Sequence, residues 1–289
     1  WSAAVCTCVI SKLSHAPVES KMRTLMPTRK PHSASPTGQF GCGFTLISAD
    51  IGVAEPMAET RAKLLAEFGV TAQAAAAEIA APGELIVMAV KPQSMREAAL
   101  ALRPRLQAQQ VVLSIAAGIR LADLARWLGG HAKLIRCMPN TPALIGAGVT
   151  AAYARAEVTA AEFAAAEKVL APMGKLIRVQ SEALLDPVTA VSGSGPAYVF
   201  YFIEALEQAA LELGLEAGAA RTLALETFLG AAKLAASSAD DPATLRAKVT
   251  SKGGTTEAAL ALMETEKLKA AFIRAVRAAN QRAQAKRQK

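Results

Sequence analysis

The pattern of apolar and polar positions divides the chain at about residue 180. Before this point, short apolar runs of strand length alternate with helical patterns. Residues 85–90 and 111–115 are continuous apolar runs, which is typical of strands buried on both faces of a parallel sheet. After residue 181 the strand patterns stop and only helical periodicity remains. Strands that alternate with helices predict a doubly wound parallel α/β sheet, followed here by an all-helical half.

The predicted elements follow from these periods. The first strand pattern, at residues 51–56, ends in the acid Glu55. The further predicted strands are residues 85–90, 111–115, 133–137, 149–153 and 176–179. Helices are predicted over residues 58–68, 95–106, 121–128 and 159–173 and then over 187–213, 217–237, 242–249 and 256–282. The 187–213 pattern is apolar over so wide an arc that it needs packing partners on more than one side, which indicates a subunit interface.

Two loops of small residues lead directly into helical patterns of the second half. They are VSGSGPAY at residues 191–198 and VTSKGGTT at residues 249–256. Glycine lets the backbone come close to a ligand, and the unpaired N–H groups of a helix start suit an anion. The simpler alternative is that each loop only caps its helix. Two such loops in one short region favour a ligand site.

Together with three upstream motifs, these loops resemble one enzyme family. The upstream motifs are AVKPQ at residues 89–93, SIAAGI at 114–119 and RCMPNTP at 136–142. The five motifs, in their order along the chain, resemble those of pyrroline-5-carboxylate reductase. The resemblance runs from about residue 47 to about residue 279. It implies a Rossmann-like dinucleotide-binding domain followed by an all-α dimerisation domain. It also implies reduction of 1-pyrroline-5-carboxylate to L-proline with NADPH or NADH.

The resemblance assigns the substrate site to the two loops. It implies that the second loop binds the substrate carboxylate and comes from the neighbouring subunit, and that Thr256 is the catalytic hydroxyl near the ring nitrogen. The alternative for Thr256 is a helix cap. Glu182, ahead of the first loop, could orient the ring nitrogen or be an exposed charge. The expected substrate-binding residues are Ser192, Gly193, Ser194, Ser251, Gly253, Gly254, Thr255 and Thr256.

The cofactor is expected at the carboxyl ends of the strands, where α/β sheets bind dinucleotides. Lys91 would approach a ribose or phosphate, although an exposed lysine that begins a helix is an equal alternative. Glu55 would bond the adenosine ribose and favour NADH, whereas the family often prefers NADPH, so the choice stays open. The expected cofactor-binding residues are Glu55, Ala89, Val90, Lys91, Pro92, Ala116, Ala117, Gly118 and Asn140.

Residues 1–45 depart from the family. Glycines at Gly38, Gly41 and Gly43 have no apolar strand before them and no room for a helix before residue 47. The first strand, the phosphate loop and the first helix are therefore expected to be missing. The expected domains are an irregular segment over 1–45, a cofactor domain over 46–180 and a helical dimerisation and substrate domain over 181–289. A shifted reading frame or misassigned start is our hypothesis for the first segment, with a transit peptide as the alternative.

Charge and cysteine usage exclude several classes of protein. The net charge is +8, but the excess sits at the two chain ends and no basic face is interleaved with aromatics. Nucleic-acid binding is therefore not expected. No apolar run has the length of a membrane span, and the four cysteines form neither a metal motif nor a disulfide pattern. A reducing cytoplasm is the expected location.

Two alternatives to an active reductase stay open. The chain could be an inactive family member that keeps only the helical oligomer, since its phosphate loop is not evident. It could also be a hydroxy-acid reductase of the same sheet type, but Lys233 lacks the supporting motif of a catalytic lysine.

Overall fold

The computed structural model describes residues 6–10, 51–79 and 83–286, with only the backbone at residues 6–10 and Lys286. The chain forms two compact units. The sheet unit comprises Trp1–Gly193 with Ala283–Lys289, and the helical unit comprises Ser194–Arg282.

Within the described residues, the sheet unit is built on one sheet of eight strands in the order β3-β2-β1-β4-β5-β6-β7-β8. The strands are β1 Cys6–Ile10, β2 Ile51–Ala54, β3 Ala72–Gln73, β4 Leu85–Ala89, β5 Val111–Ser114, β6 Leu134–Met138, β7 Gly148–Ala154 and β8 Gly174–Arg178. The helices of this unit are α1 Ala58–Phe68, α2 Met95–Leu102, α3 Leu121–Trp127, α4 Ala160–Leu170 and α5 Leu185–Val188.

The centre of the sheet is parallel and both of its faces are covered. Strands β4, β5 and β6 pair in parallel. One face packs against α2 and α3, where Met88, Met95 and Leu124 share a core. The other packs against α4, where Leu113 and Phe163 share a second core. Burial on both faces explains why β4 and β5 read as unbroken apolar runs in the sequence.

The prediction of a wholly parallel sheet is wrong at β7, which runs antiparallel to β6. The connection from Met138 to Gly148 holds only a short 3₁₀ segment, Thr141–Ile145. A crossover to a parallel strand needs roughly a dozen residues or more, so this shorter connection returns the chain in the opposite direction. Strand β8 then pairs in parallel with β7.

The first strand position is filled, but in the reverse direction. Strand β1 lies antiparallel between β2 and β4, with Thr7 opposite Ala54 and Cys6 opposite Ala89. The expectation of an irregular first segment is therefore wrong at Cys6–Ile10. The apolar, β-branched strand pairs ladder groups of β2 and β4 that would otherwise lack partners. Because β1 ends beside Leu85, the chain leaves it at the edge where β4 begins.

The helical unit contains α6 Gly195–Glu212, α7 Ala217–Ser237, α8 Pro242–Lys248 and α9 Thr255–Thr265, and helix α10 spans Leu268–Lys286. The predicted helix over 187–213 is interrupted by a π-helical turn at Thr189–Gly193 before α6 begins. Proline at Pro196 lacks an N–H and so suits the first turn of a new helix. The predicted helix over 256–282 is broken at Lys267, which adopts a left-handed conformation with φ 54°.

The helical unit buries little of its apolar surface. Its fully buried hydrophobic residues among those described are Ala220 and Ala224. Phe272 packs edge to face against Tyr198, with ring centroids 5.6 Å apart, and against Phe202 at 5.7 Å. The large apolar side chains that stay exposed include Val199, Phe200, Tyr201, Leu223, Leu225, Leu229, Leu234, Leu262 and Met263. Among the described helices, none combines the length and apolar character needed to cross a membrane.

Candidate active site

The carboxyl edge of the sheet gathers the predicted cofactor residues of the central strands. Met88 in β4 is paired with Ser114 in β5, and Ser114 with Arg136 in β6. The segments that follow these strands therefore leave from the same edge, with neighbouring strands about 4.8 Å apart. The predicted residues on these segments are Ala89, Val90, Lys91, Pro92, Ala116, Ala117, Gly118 and Asn140.

These residues differ in what they can offer a ligand. Lys91, Pro92 and Ala117 are exposed, whereas the side chains of Val90 and Ala116 are buried. Buried side chains can only shape the backbone on which a ligand rests. Gly118 has φ 81°, a conformation that L-residues with a side chain rarely adopt. Any direct side-chain contact at this edge would therefore come from the exposed residues.

Glu55 follows β2 at the same edge of the sheet and is fully buried. Its Oε1 accepts a hydrogen bond from the Met57 backbone N–H at 2.8 Å. Its Oε2 is buried and has no hydrogen-bond partner within the described part of the chain. A buried carboxylate oxygen without a donor costs free energy, so this position favours a ligand that can donate a hydrogen bond.

Asn140 connects three segments of the sheet unit. It follows β6, and its Oδ1 accepts a hydrogen bond from the Val149 backbone N–H in β7 at 2.9 Å. Its Nδ2 donates to Ser192 Oγ in the first small-residue loop at 3.2 Å. Asn140 was predicted to contact the cofactor, and its Nδ2 carries a second hydrogen besides the one donated to Ser192.

The first loop rests against the end of β6. Ser192 and Gly193 close the π-helical turn at Thr189–Gly193, a rare geometry that is often found at functional sites. A Cβ added to Gly193 would lie 2.6 Å from the Met138 Cε. Glycine at this position therefore allows the loop to lie close to β6. Ser194 lies in the other unit, directly before α6.

Glu182 forms an ion pair and a backbone hydrogen bond within the sheet unit. Its Oε1 accepts hydrogen bonds from Arg136 Nη1 at 2.8 Å and from the Leu121 backbone N–H at 2.9 Å. It therefore neutralises a buried arginine in β6 and caps the start of α3. The carboxylate is engaged within the protein, which argues against its orienting a substrate ring. The motif around residue 136 indicated family membership but gave no sign that Arg136 would be paired with Glu182.

The second loop, in the helical unit, opens α9 without a side-chain cap. Gly254 is the N-cap residue, and Gly253 has φ 72°. A Cβ on Gly254 would lie 2.6 Å from Ser251 Oγ, so the loop is closely folded. The Gly253 N–H donates to Glu257 Oε2 at 2.6 Å and is already occupied. An anion site needs backbone amides that are not already capped. The start of α9 meets this condition, because its N-cap residue makes no side-chain cap hydrogen bond.

Other candidates for chemistry can be set aside within the described residues. No group of His, Cys, Asp and Glu there could hold a metal ion. Cys137 is buried, and burial raises the pKa of its thiol, which keeps it protonated and unreactive. A cavity of about 610 Å³ lies at the opposite edge of the sheet, where β4, β5 and α4 begin. That cavity is separate from the predicted residues.

Within the sheet unit, a carboxyl edge lined by small residues and an acid after β2 are typical of a dinucleotide-dependent oxidoreductase of Rossmann-like type. Residues 182–286 match the family model for pyrroline-5-carboxylate reductase dimerisation. Residues 37–118 match the model for NADP oxidoreductase, coenzyme F420-dependent. The chain belongs to the pyrroline-5-carboxylate reductase family.

A pyrroline-5-carboxylate reductase of Pseudomonas aeruginosa is 44% identical over 235 residues, which cover 81% of this chain and 86% of the relative. The Escherichia coli protein of the same name is 38% identical over 231 residues, covering 80% and 86%. The structure of a Coxiella burnetii pyrroline-5-carboxylate reductase aligns with a TM-score of 0.77 at 34% identity, covering 81% and 87%. A Plasmodium falciparum pyrroline carboxylate reductase, solved with NADP bound, aligns at 0.70 with 28% identity, covering 75% and 82%.

These comparisons confirm the expected family and fold class, a Rossmann-like cofactor domain with an all-α dimerisation domain. The individual assignments of site residues and the boundaries of the predicted domains stay predictions.

Proposed function

We propose that this chain reduces 1-pyrroline-5-carboxylate to L-proline with NADPH or NADH. The observation that carries the proposal is the uncapped start of α9 at Gly254, which lies within the glycine–threonine motif of a member of this reductase family. An anionic group of the substrate would be held there by backbone amides and the helix dipole.

The roles proposed for the second loop follow from its geometry. The amides of Thr255 and Thr256 lie in the first turn of α9 and would bind the substrate carboxylate. The hydroxyl of Thr256 would approach the ring nitrogen, and Ser251, folded against Gly254, would shape the pocket. A protonated cyclic imine is already a good electrophile, so positioning rather than strong acid catalysis would dominate the rate.

The described residues fit the cofactor at two places. Lys91 and Pro92 are exposed at the edge where the nicotinamide half would lie, and Gly118 leaves room beside it. Glu55 stands where an acid would meet the adenosine ribose. When bound, the reduced nicotinamide would supply the hydride. The glycines at residues 38–43, the only candidates for a phosphate loop that the sequence offered, lie outside the described residues.

We further propose that NADH is the preferred cofactor. A ribose hydroxyl would donate to the unpartnered Glu55 Oε2, whereas the 2′-phosphate of NADPH would place negative charge beside a carboxylate. Nη1 of Arg61 donates to the backbone carbonyls of Glu55 and Pro56, so this nitrogen of the guanidinium is already engaged. The matched family models and relatives do not decide this choice.

The exposed apolar faces of the helical unit support self-association, in agreement with its match to a dimerisation family. We propose a homo-oligomer in which the α9 loop of one subunit serves the cofactor edge of its partner. The proposed domains are residues 1–45, 46–180 and 181–289. A cytoplasmic location is proposed from the cysteine usage alone.

The test is a coupled assay on the full chain. Oxidation of NADH or NADPH should depend on added 1-pyrroline-5-carboxylate and should yield one L-proline per reduced cofactor consumed. Thr256→Ala should lower kcat while the oligomer stays intact, as judged by size-exclusion chromatography with light scattering. Saturable cofactor binding without proline formation would contradict the proposal, and so would proline formation that Thr256→Ala and Gly254→Ala leave unchanged. Nothing in the comparisons favours an inactive member.

A further inference from the structure

The amide of Asn140 has a forced orientation. Its Oδ1 lies 2.9 Å from the Val149 backbone nitrogen. A backbone N–H can only donate, so the amide atom that faces it must be the oxygen. The other end, Nδ2, is therefore the atom that faces Ser192 Oγ at 3.2 Å.

This orientation fixes the polarity of the Ser192 hydroxyl. Nδ2 carries only donors, so Ser192 Oγ must accept from it. The hydroxyl proton of Ser192 cannot point toward Asn140 and is free to donate elsewhere. Left alone, a serine hydroxyl rotates to suit any neighbour, so Asn140 removes an ambiguity that the sequence could not resolve.

The surroundings hold this arrangement in place. Asn140 is hydrogen-bonded to the start of β7, and Ser192 belongs to the π-helical turn at Thr189–Gly193. Gly193 lies against Met138, at the end of the strand that leads to Asn140. Ser192 is half-buried, which leaves its hydroxyl within reach of a small ligand.

We infer that Asn140 is a positioning residue that sets the Ser192 hydroxyl as a hydrogen-bond donor, and that Ser192 donates to the carboxylate of the substrate. The inference rests on the proposed function. Of the polar groups of a protonated cyclic imino acid, the carboxylate is the strong acceptor, while the ring nitrogen is itself a donor. Asn140 then acts through Ser192 and does not contact the cofactor.

Two substitutions separate this role from a general effect on folding. Ser192→Ala removes the donor. Asn140→Asp keeps an acceptor for Val149 but turns the Ser192 hydroxyl toward the new carboxylate. Each should raise KM for 1-pyrroline-5-carboxylate, and Kd for proline, by about tenfold to a hundredfold, the range for a hydrogen bond to a charged group. The double variant should be no worse than Asn140→Asp, because both changes remove the same contact.

Thr189→Val is the matched control. Its hydroxyl lies in the same π-helical turn but donates to the Leu185 carbonyl at 2.7 Å, away from Asn140. This variant should leave KM and the proline Kd unchanged, and thermal melts should confirm that all variants are folded.

Three outcomes would overturn the inference. Ser192→Ala could leave the proline Kd unchanged, or Asn140→Asp could leave it unchanged while Ser192→Ala raises it. Alternatively, the cofactor Kd could rise with no change for proline, which would place the acceptor on the nicotinamide carboxamide. Proline binding is measured by calorimetry and needs no turnover. An inactive wild-type chain would thus contradict the proposed function and leave this test intact.

Discussion

The two units of this chain obtain their stability in different ways. The sheet unit buries apolar side chains on both faces of its sheet, with Met88 and Leu113 fully buried. The helical unit buries only small residues such as Ala220 and leaves Phe200 63% exposed. Because apolar burial is the main favourable contribution to folding, the sheet unit resembles a self-contained domain and the helical unit an element that needs a partner. The contrast indicates that assembly is part of the fold of the second unit.

The largest effect is expected from a charge on the exposed apolar face. Phe200→Glu would bury an unpaired carboxylate in the proposed interface, at a cost of about 3–5 kcal/mol. We expect loss of the oligomer in light scattering and loss of reductase activity with it. The control Gln208→Glu adds the same charge to a polar position of α6 and should preserve the assembly. A Phe200→Glu variant that remains oligomeric would contradict the view that the helical unit needs a partner at this apolar face.

Within the sheet unit, the buried ion pair should show an asymmetry. The Arg136 side chain is 2% exposed, whereas that of Glu182 is 20% exposed. Glu182→Ala leaves the buried arginine unpaired and uncaps α3, so we expect a loss of about 3–5 kcal/mol in the free energy of unfolding. Arg136→Met should cost less, because the remaining carboxylate is partly solvated. Urea denaturation measures both, and equal losses would contradict this account.

The α9 loop should tolerate a methyl group poorly. In Gly254→Ala the new Cβ would lie 2.6 Å from Ser251 Oγ and 3.0 Å from the Ser251 carbonyl, so the loop must shift. A misplacement of this kind can cost about a hundredfold in catalysis, and we expect kcat/KM to fall by at least about tenfold. Gly218→Ala, whose Cβ would meet nothing within 4 Å, is the control and should leave kcat/KM unchanged. Equal kinetics for the two alanine variants would argue against a ligand at α9.

Cofactor choice should respond to Glu55. Glu55→Gln keeps an acceptor for Met57 but removes the charge that disfavours a 2′-phosphate. The ratio of Kd for NADPH to Kd for NADH, from fluorescence titration, should fall by about tenfold, as expected for one charge-assisted contact. Glu59→Gln, an exposed change in the first turn of α1, should leave the ratio unchanged. A ratio that already favours NADPH in the unmodified chain would contradict the assignment.

The smallest expected effect concerns pH. Burial acts to raise the pKa of Glu162, but hydrogen bonds from Lys133 and Thr159 outweigh it and hold the pKa below its ordinary value of 4.5. A lowered folded-state pKa adds stability above pH 4.5 that is lost as the pH falls through the folded value. Glu162→Gln should therefore cost roughly 0.5–1 kcal/mol at pH 7, and this cost should shrink as the pH falls below 4.5. A cost independent of pH would assign the effect to packing.

The sequence was most informative where local periodicity and burial agree. The bounds of α1 and α7 were predicted to the residue, since each is a helical pattern with a clear end. The direction of β7 was missed because it depends on the length of a connection, and β1 was missed because its pairing partners lie far along the chain. Pattern alone could not have given the direction of β7 or the position of β1.

The candidate site shows the same division. Motif order gave the family and the two loops. The hydrogen bonds that determine the roles of Asn140 and Glu182 join residues 52 and 46 positions away, respectively. Such pairings depend on tertiary structure, so the sequence could not show that Asn140 is bonded to the first loop. Arg136 carried no functional expectation from the motif, and its burial explains why it needs Glu182.

A crystal structure of the assembled protein with bound L-proline would test the central claim most directly. The account predicts the proline carboxylate at about 2.7–3.2 Å from the amides of Thr255 and Thr256, at the start of α9. Proline bound at another site, with those amides facing only solvent, would contradict it.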